Sequence, residues 1–569
     1  MIAALVVITI LLLSIAYLTY GRHLANRLGL DASRATPACS VNDGNDFVPA
    51  KAPLLVGQHF SAIAAAGPIV GPILAGIWFG WAPAVLWIIL GAIFIGGMHD
   101  ITSLTASVRH KAASVGELAR QYMSPTAHVL FLTFVWLALV YVIVAFTDIT
   151  GQTFKYVTEE VSFGPGVAVS SGLYLVIGMA MGVLLYRFRT NLTATTLIFM
   201  PLVFFAVWVG PHAPQAVLDF FGGFSAKQWD GILLAYCFVA SLMPVWMLLQ
   251  PRGYLGGWFL YATMAAGLGG ALFGGYAIKY PAWNLEGMHS IVNGQPLIPI
   301  LFITIACGAC SVFHAIVSSG TTSKQLKYET DAKVVGYGTM LLEALVAILA
   351  LSTVMMLAPG DATLKKDPNL VYATGLATFM ARVGIDFNTA LAFALLAFST
   401  FVYDTLDVST RLARYVLQEL LGWTSRAGAV AATAITLAVP FAILMATKEK
   451  AYLVAWPIFG TSNQLLASLT LLAVSVWLTR TGRSAIFAII PMVFMMVMTL
   501  WSLGLQIKPF IDAMPAWIDG RAPKGQVITG GIVGIVLLIL SIWLIIEAVR
   551  VLRHGPKMKP ETELTETAA

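Results

Sequence analysis

Apolar residues recur along this chain in runs of roughly 18 to 25, each long enough to cross a hydrocarbon core of about 30 Å as a helix. The runs lie near 2–21, 60–79, 82–98, 128–147, 166–186, 191–210, 230–250, 254–276, 297–319, 337–358, 387–404, 426–446, 451–478, 484–506 and 528–552. They predict an all-α fold, a polytopic integral membrane helix bundle of about 15 transmembrane helices. A weaker stretch near 370–383 reads as a re-entrant or interfacial piece. Two stretches, 102–122 and 402–420, read as helices lying along the membrane surface. In the second, Val402, Leu406, Ala413, Val416 and Leu420 share one face, and Asp404, Asp407, Arg411, Arg414 and Gln418 another. The predicted organisation is a first transmembrane helix and cytoplasmic loop (1–58), core helices including broken spans near 60–79 and 230–250 (59–404), a cytoplasmic amphipathic helix (405–425), C-terminal transmembrane helices (426–552) and a disordered cytoplasmic tail (553–569).

Composition closes off the soluble alternatives. Of 569 residues, 59% are apolar, a further 50 are Gly, and only 11% are charged, where a soluble domain has about 25% charged residues. The longest weakly apolar stretch, Arg22 to Gln58, is too short for a soluble nucleotide-hydrolysing or nucleic-acid-binding domain of about 100 residues, so nucleic acid is not an expected partner. The cysteines, Cys39, Cys237, Cys307 and Cys310, form no disulfide pattern. The first run lacks a basic leader and a small-residue cleavage site and is followed by Arg22, His23 and Arg27, which reads as a retained helix. With the amino terminus outside, two thirds of the 33 Lys and Arg residues, Arg252 and Arg411 among them, collect in the cytoplasm. The positive-inside rule therefore favours an outside amino terminus and a cytoplasmic carboxyl terminus.

The candidate chemistry lies where the apolar runs are interrupted. Gly67-Pro68-Ile69-Val70-Gly71-Pro72 puts two Gly-Pro pairs inside the second run, just after His59. A helix can break in lipid only where protein or a cavity takes over the freed backbone groups, and such breaks form substrate and ion sites in secondary transporters. A kinked helix packed through small residues is the alternative. In the ninth run Cys307, Cys310, His314 and Ser318 are spaced i, i+3, i+7, i+11 and would share one helix face. The hydroxyls of Ser318, Ser319, Thr321 and Thr322 offer hard ligands to a cation or hydrogen bonds to a carboxylate. One CxxC pair alone is a weak metal motif, and thiols also pack well in cores.

Glu343 sits about two turns into a run, with Thr339 one turn before it. Burial disfavours the charged form of a carboxyl, so Glu343 is a candidate proton carrier; pairing with an Arg or Lys is the alternative. His99 and Asp100 end the third run, and adjacent helical residues do not face the same way, so they are not a ready-made dyad. Asp148 falls at the end of the fourth run and reads as interfacial. Asp404 and Asp407 form half of a gate, Asp407 being i, i+4 to Arg411, or else solvated helix-end pairs. The GxxxxGK[ST], HExxH and GxSxG motifs do not occur, which leaves an ion gradient as the energy source.

The runs QHFSAIAAAGPIVGPILA (58–75), GGMHD (96–100), MPVWMLLQPRGYL (243–255), CGACSVFHAIVSSGTTSKQL (307–326), GYGTMLLEALVA (336–347), FVYDTLDVSTRLARYVLQEL (401–420) and WPIFGTSNQLLA (456–467) are similar, in this order, to the carbon starvation protein A family. The resemblance implies a transporter of the bacterial or archaeal inner membrane, connected with peptide uptake during carbon starvation and, in some members, with proton-coupled pyruvate uptake. It also implies kinship with the amino acid-polyamine-organocation superfamily, whose inverted-repeat core has two broken helices. Those would be the second run and the seventh, with its Met243-Pro244-Val245-Trp246, and the ninth run would face the first broken helix with its hydroxyls. One departure stands out: family members commonly carry Asp after the Pro-Arg of the fourth motif, whereas Gly253 follows Arg252 here.

Together these readings give an importer of a short peptide or pyruvate-like carboxylate coupled to protons, with sodium as the alternative ion. The expected pathway comprises His59, Gly67, Pro68, Gly71, Pro72, Trp246, Gln250, His314, Ser318, Ser319, Thr321 and Thr322; proton coupling falls to Glu343, His99 and Asp100; Asp404, Asp407 and Arg411 form gating pairs. No catalytic residue, cofactor or resident metal is expected, and sodium, if it couples, would take Ser318, Ser319 and Thr322. Substrate and membrane lipid are the expected partners. The competing class is an intramembrane enzyme or nutrient sensor using His59, His99, Asp100 and His314.

Overall fold

In the computed structural model the apolar runs are helices. It describes residues 1–44, 47–64, 66–156, 163–284, 294–447, 451–518 and 525–554, so most of the tail read as disordered lies outside the described residues. The main helices in chain order are α1 Ile2–Leu18, α2 Ala52–Ile63, α3 Gly67–Phe79, α4 Trp81–Arg109, α5 Pro125–Phe154, α6 Phe163–Arg187, α7 Leu192–Val209, α8 Ala226–Leu242, α9 Leu249–Phe273, α10 Leu297–Thr304, α11 Val312–Val317, α12 Thr339–Met355, α13 Pro368–Arg382, α14 Phe387–Leu421, α15 Arg426–Ala446, α16 Ala451–Arg480, α17 Ile486–Ile518 and α18 Gly525–His554. Polar caps start several of them. Ser124 Oγ accepts from Ala127 N at 3.0 Å, Asn191 Oδ1 from Thr193 N at 2.8 Å and Ser425 Oγ from Gly428 N at 3.0 Å. Gly422, at φ 69°, ends α14 in the left-handed conformation that favours glycine.

Among the described residues twelve helices are long and apolar enough to cross a membrane, or thirteen with the bent pair α2 and α3. The expected count of about 15 also included the runs near 230–250 and 297–319. The first holds α8, 17 residues long; the second holds α10 and α11, separated by a non-helical stretch over 305–311. The weak stretch near 370–383 is α13, a 15-residue helix with a largely buried face. Residues 405–421, read as a separate surface helix, are the second half of the 35-residue α14, buried through Leu417, because its polar face meets other helices and not water. The other stretch read as a surface helix, 102–122, holds the end of α4 and a short helix, Val115–Tyr122.

α14 and α12 lie at the centre, whereas α1, α7, α17 and α18 turn large apolar side chains such as Leu11, Ile15, Leu197, Phe205, Ile490 and Ile546 outward, as lipid-facing helices do. Three interruptions define the interior. The first parts α2 from α3 at a 45° bend. The second covers Met243–Leu248 between α8 and α9, and the third covers 305–311.

The first and third interruptions are pressed together. A Cβ on Gly67 would overlap the Cys307 side chain, and one on Gly71 would overlap the carbonyl of Thr304 and stand 3.3 Å from Ile305 Cα. Gly67 and Gly71, four residues apart, thus present a bare backbone face to the end of α10, the small-xxx-small geometry of membrane helix pairs. They were expected to line the pathway. Their role in the structure is close packing: Pro68 opens α3 and Pro72 lies inside it, both fully buried. Replacing Gly71 by Val drives two methyl groups and a Cβ into that backbone contact. The expected cost is at least about 1–3 kcal/mol, read as a lowered midpoint in detergent thermal unfolding; an unchanged midpoint would contradict this packing.

Candidate functional site

The ionisable groups at depth are gathered into two units. In the first, Glu343 of α12 places Oε2 3.0 Å from Nε2 of His314 in α11, His314 Nδ1 lies 2.8 Å from Asp100 Oδ2 in α4, and Asp100 Oδ1 lies 2.8 Å from His99 Nδ1. All four side chains are fully buried. A neutral imidazole has one N–H and one lone pair; Asp100 closes a hydrogen bond with Nδ1, whereas Glu343 stands 3.0 Å from Nε2 in ion-pair contact without hydrogen-bond geometry. A further proton can sit on His314, making it an imidazolium, or on a carboxyl. Chemically, such an arrangement can hold a proton in more than one place.

Sequence reasoning put these residues on the right elements and missed part of their geometry. His99 and Asp100, expected to point apart, are in contact, because adjacent side chains of this length can bend together where α4 leaves the π-turn at Ala92–Gly96. Cys307, Cys310, His314 and Ser318 do not share a helix face. Cys307 and Cys310 belong to the interruption, and only His314 is in α11, with Ser318 opening a π-turn over Ser318–Thr322. Asp148, expected at the interface, is 1% exposed inside α5, on the same helix face as Gly151, where a Cβ would stand 2.9 Å from Oδ1 of the buried Asp230 of α8.

The second unit was not anticipated. Arg252, expected in a cytoplasmic loop, is fully buried in α9. Its Nε donates to Asp404 Oδ1 at 2.7 Å, its Nη2 lies 2.6 Å from the same oxygen, and its Nη1 contacts Asp407 and the hydroxyl of Tyr236. Tyr236 in turn donates to Asp407 Oδ2 at 2.7 Å, Tyr174 donates to the Arg252 carbonyl at 2.7 Å, and Ser61 donates to Asp404 Oδ2. Arg411 is therefore not the partner of Asp407. Its Nη2 donates at 2.9 Å to the carbonyl of Ala240, which also accepts from Met243 N at 3.3 Å, and at 2.6 Å to the carbonyl of Met243, at the end of α8. The available signal was position: Arg252 follows Gln-Pro within apolar surroundings, and a buried cation needs counter-charges such as the otherwise costly Asp404 and Asp407.

Between the units lies a cavity walled by Gln58, His59 and Ala62 of α2, Leu249 and Gly253 of α9, Val317, Thr321 and Thr322, and Asp404 and Val408 of α14. Its volume of about 10 Å³ suits a single water, so any solute must part α2 and α14 from α11. His59 Nδ1 lies 2.8 Å from Thr322 Oγ1, while its Nε2 has no partner among the described residues. Thr321 donates to the Val317 carbonyl at 3.0 Å; Ser318 and Ser319 are buried behind. Gln250 stands beside the cavity, donating to Gln325 Oε1 at 2.6 Å and accepting from Tyr186. Trp246 is not brought to it: half-buried, it packs on Tyr186 with ring centroids 5.9 Å apart.

The third interruption is held by a residue outside the expected set. Asn463 of α16 accepts at Oδ1 from Ser311 Oγ at 3.0 Å, Val312 N at 3.1 Å and Phe313 N at 3.4 Å, and its Nδ2 points to Cys307 Sγ at 3.7 Å.

Comparison with known proteins places the chain among membrane transporters. A family model described as "Carbon starvation protein CstA" matches residues 1–370 and 361–502. A peptide transporter CstA of Helicobacter pylori (strain J99) is 31% identical, the alignment covering 89% of this chain and 82% of the relative. A peptide transporter CstA of Bacillus subtilis is 29% identical over 96% of both chains. The pyruvate/proton symporter BtsT of Escherichia coli is 29% identical over 87% of this chain and 80% of its own.

Asn463→Leu would leave the Val312 amide without its acceptor inside the protein, at an expected cost of about 1–3 kcal/mol, whereas Asn463→Asp keeps that acceptor. Unfolding in detergent should rank wild type and Asn463→Asp together above Asn463→Leu. A Leu variant as stable as the Asp variant would refute the pinning role.

Proposed function

The chain belongs to the carbon starvation protein CstA family, and on that premise we propose that it is a secondary transporter importing a small carboxylate-bearing nutrient, a short peptide or pyruvate, together with protons. The relatives described above bear transporter names, and the chain acts as a transporter and not as an enzyme. It works in the inner membrane, with the amino terminus outside and the carboxyl terminus in the cytoplasm, the orientation that puts most Lys and Arg inside.

The observation that carries proton coupling is His314 held between two carboxyls, Glu343 and Asp100, at 3.0 and 2.8 Å with no exposure. Three buried titratable groups in contact can exchange one proton at little cost in net charge, whereas a lone buried carboxylate could not lose its proton cheaply. Glu343 is the carrier, since neither of its oxygens meets another donor among the described residues beyond His314. His314 and Asp100 set its affinity for the proton, and His99 continues the line. The substrate occupies the cavity between α2, α9, α11 and α14 once it opens, against His59 and the hydroxyls of Thr321 and Thr322. Protons are the coupling ion in the named symporter BtsT, which favours protons over the sodium alternative.

The test is transport in sealed proteoliposomes. Glu343→Gln should abolish uptake driven by an imposed pH gradient while leaving substrate counterflow, which needs no net proton movement. Equal loss of both, or of neither, would rule Glu343 out as carrier.

A further inference from the structure

We propose that Arg252 is the carboxylate-binding group of the transport site and that the substrate reaches it by taking the place of Asp404. The inference rests on the reading of the protein as an importer of small carboxylates. A guanidinium is a planar fork that receives carboxylates along its edges. In Arg252 Nε donates to Asp404 Oδ1 at 2.7 Å while Nη2, 2.6 Å from the same oxygen, makes no hydrogen bond, and Nη1 contacts Asp407. The two aspartates play different parts. Asp404 lines the cavity, as does Gly253 next to Arg252 in the chain, while Asp407 does not. A carboxylate entering from the cavity therefore meets Asp404 first and finds Arg252 directly behind it.

Exchange preserves what burial demands. Arg252 faces two carboxylates before it and two after it, so the cation stays paired, and the extra negative charge falls on the displaced Asp404, which must be compensated. The fixed counter-charge is Asp407, held by the Tyr236 hydroxyl at 2.7 Å. The mobile one is Asp404, which keeps the Ser61 hydroxyl as it turns aside and has His59, whose Nε2 is unpartnered among the described residues, in the same cavity lining as a further polar group. The bare Gly253 keeps the route open, since a Cβ there would stand 3.2 Å from Gln58 Cγ on the cavity wall. The group recognised is the carboxylate itself, whether of a keto acid or of a peptide C-terminus.

Counterflow in proteoliposomes at equal pH on both sides tests this, with labelled substrate competed by pyruvate or pyruvamide and by dialanine or its C-terminal amide. The wild type should prefer whichever acid it carries over that acid's amide. Asp404→Asn removes the charged competitor, so the concentration of acid needed for half-competition should fall by about tenfold with the amide unmoved. Arg252→Gln combined with Asp404→Asn removes one charge of each sign, and should weaken the acid at least about tenfold and erase its preference over the amide. Arg252→Lys should keep a preference for acid at reduced affinity. Where the double variant does not fold, acid-induced thermal stabilisation of Asp404→Asn and Arg252→Lys in detergent gives the same ranking. A double variant that still prefers acid, or an Asp404→Asn that weakens acid and amide alike, overturns the assignment. A wild type that carries neither acid overturns the import reading and this inference with it.

Discussion

A backbone amide or carbonyl has no water to turn to inside a bilayer, and this constraint organises the molecule. The chain breaks helices three times at depth, and each break frees groups that a side chain from another helix then takes. Thr405 Oγ1 donates to the Ala62 carbonyl at the end of α2 at 3.1 Å, Arg411 serves Ala240 and Met243 at the end of α8, and Trp87 Nε1 donates to the Ile305 carbonyl at 3.0 Å while Asn463 receives the amides beyond it. The satisfying residues come from α4, α14 and α16. That explains why α14 runs unbroken through the centre with polar residues on one face: it serves two of the three breaks and carries the carboxylates for Arg252.

The interior ionic groups obey the same economy. Each unit sets a basic group between two acids, His314 between Glu343 and Asp100, and Arg252 between Asp404 and Asp407. A buried ion pair gains little stability over an apolar packing of the same volume, so their worth lies in having alternative states. The histidine unit can shift a proton, because imidazole and carboxyl each hold one. In the arginine unit the guanidinium keeps its charge, so under the proposed exchange its freedom lies in which carboxylate it faces. On the proposed reading, a proton and an anion would be handled by separate chemistry on either side of one cavity.

Much of this was legible in the sequence, for reasons that also explain the rest. Hydropathy located the helices, because apolar length is a local property, and the Gly-Pro pairs marked the first break. Glu343, His314 and Asp100 stood out as polar residues in apolar runs. Their contact could not be read, since it joins α4, α11 and α12 across more than two hundred residues. Arg252 was misplaced because a cation beside Gln-Pro is locally indistinguishable from a loop residue; only Asp404 and Asp407, over 150 residues later, make burial affordable. The CxxC-His-Ser spacing misled for a physical reason: a helical period holds only where the helix continues, and the chain is non-helical from 305 to 311. Gly67 and Gly71 were assigned to the pathway on the strength of the break, but a glycine pair four apart serves close packing as well as it exposes carbonyls.

α11 is where the two kinds of chemistry meet. It is only six residues long, too short to be stable alone, and it carries His314 on the proton-holding side and Val317 on the cavity wall, with Thr321 and Thr322 following directly in the π-turn. Asn463 fixes its amino end, and the Thr322 contact to His59 fixes the turn beyond its other end. Opening the cavity requires parting this segment from α2 and α14, and any such movement displaces His314 relative to Glu343 and Asp100, which belong to the long helices α12 and α4. In the proposed mechanism, occupancy of the cavity and the position of the proton are linked through this one segment, which touches both.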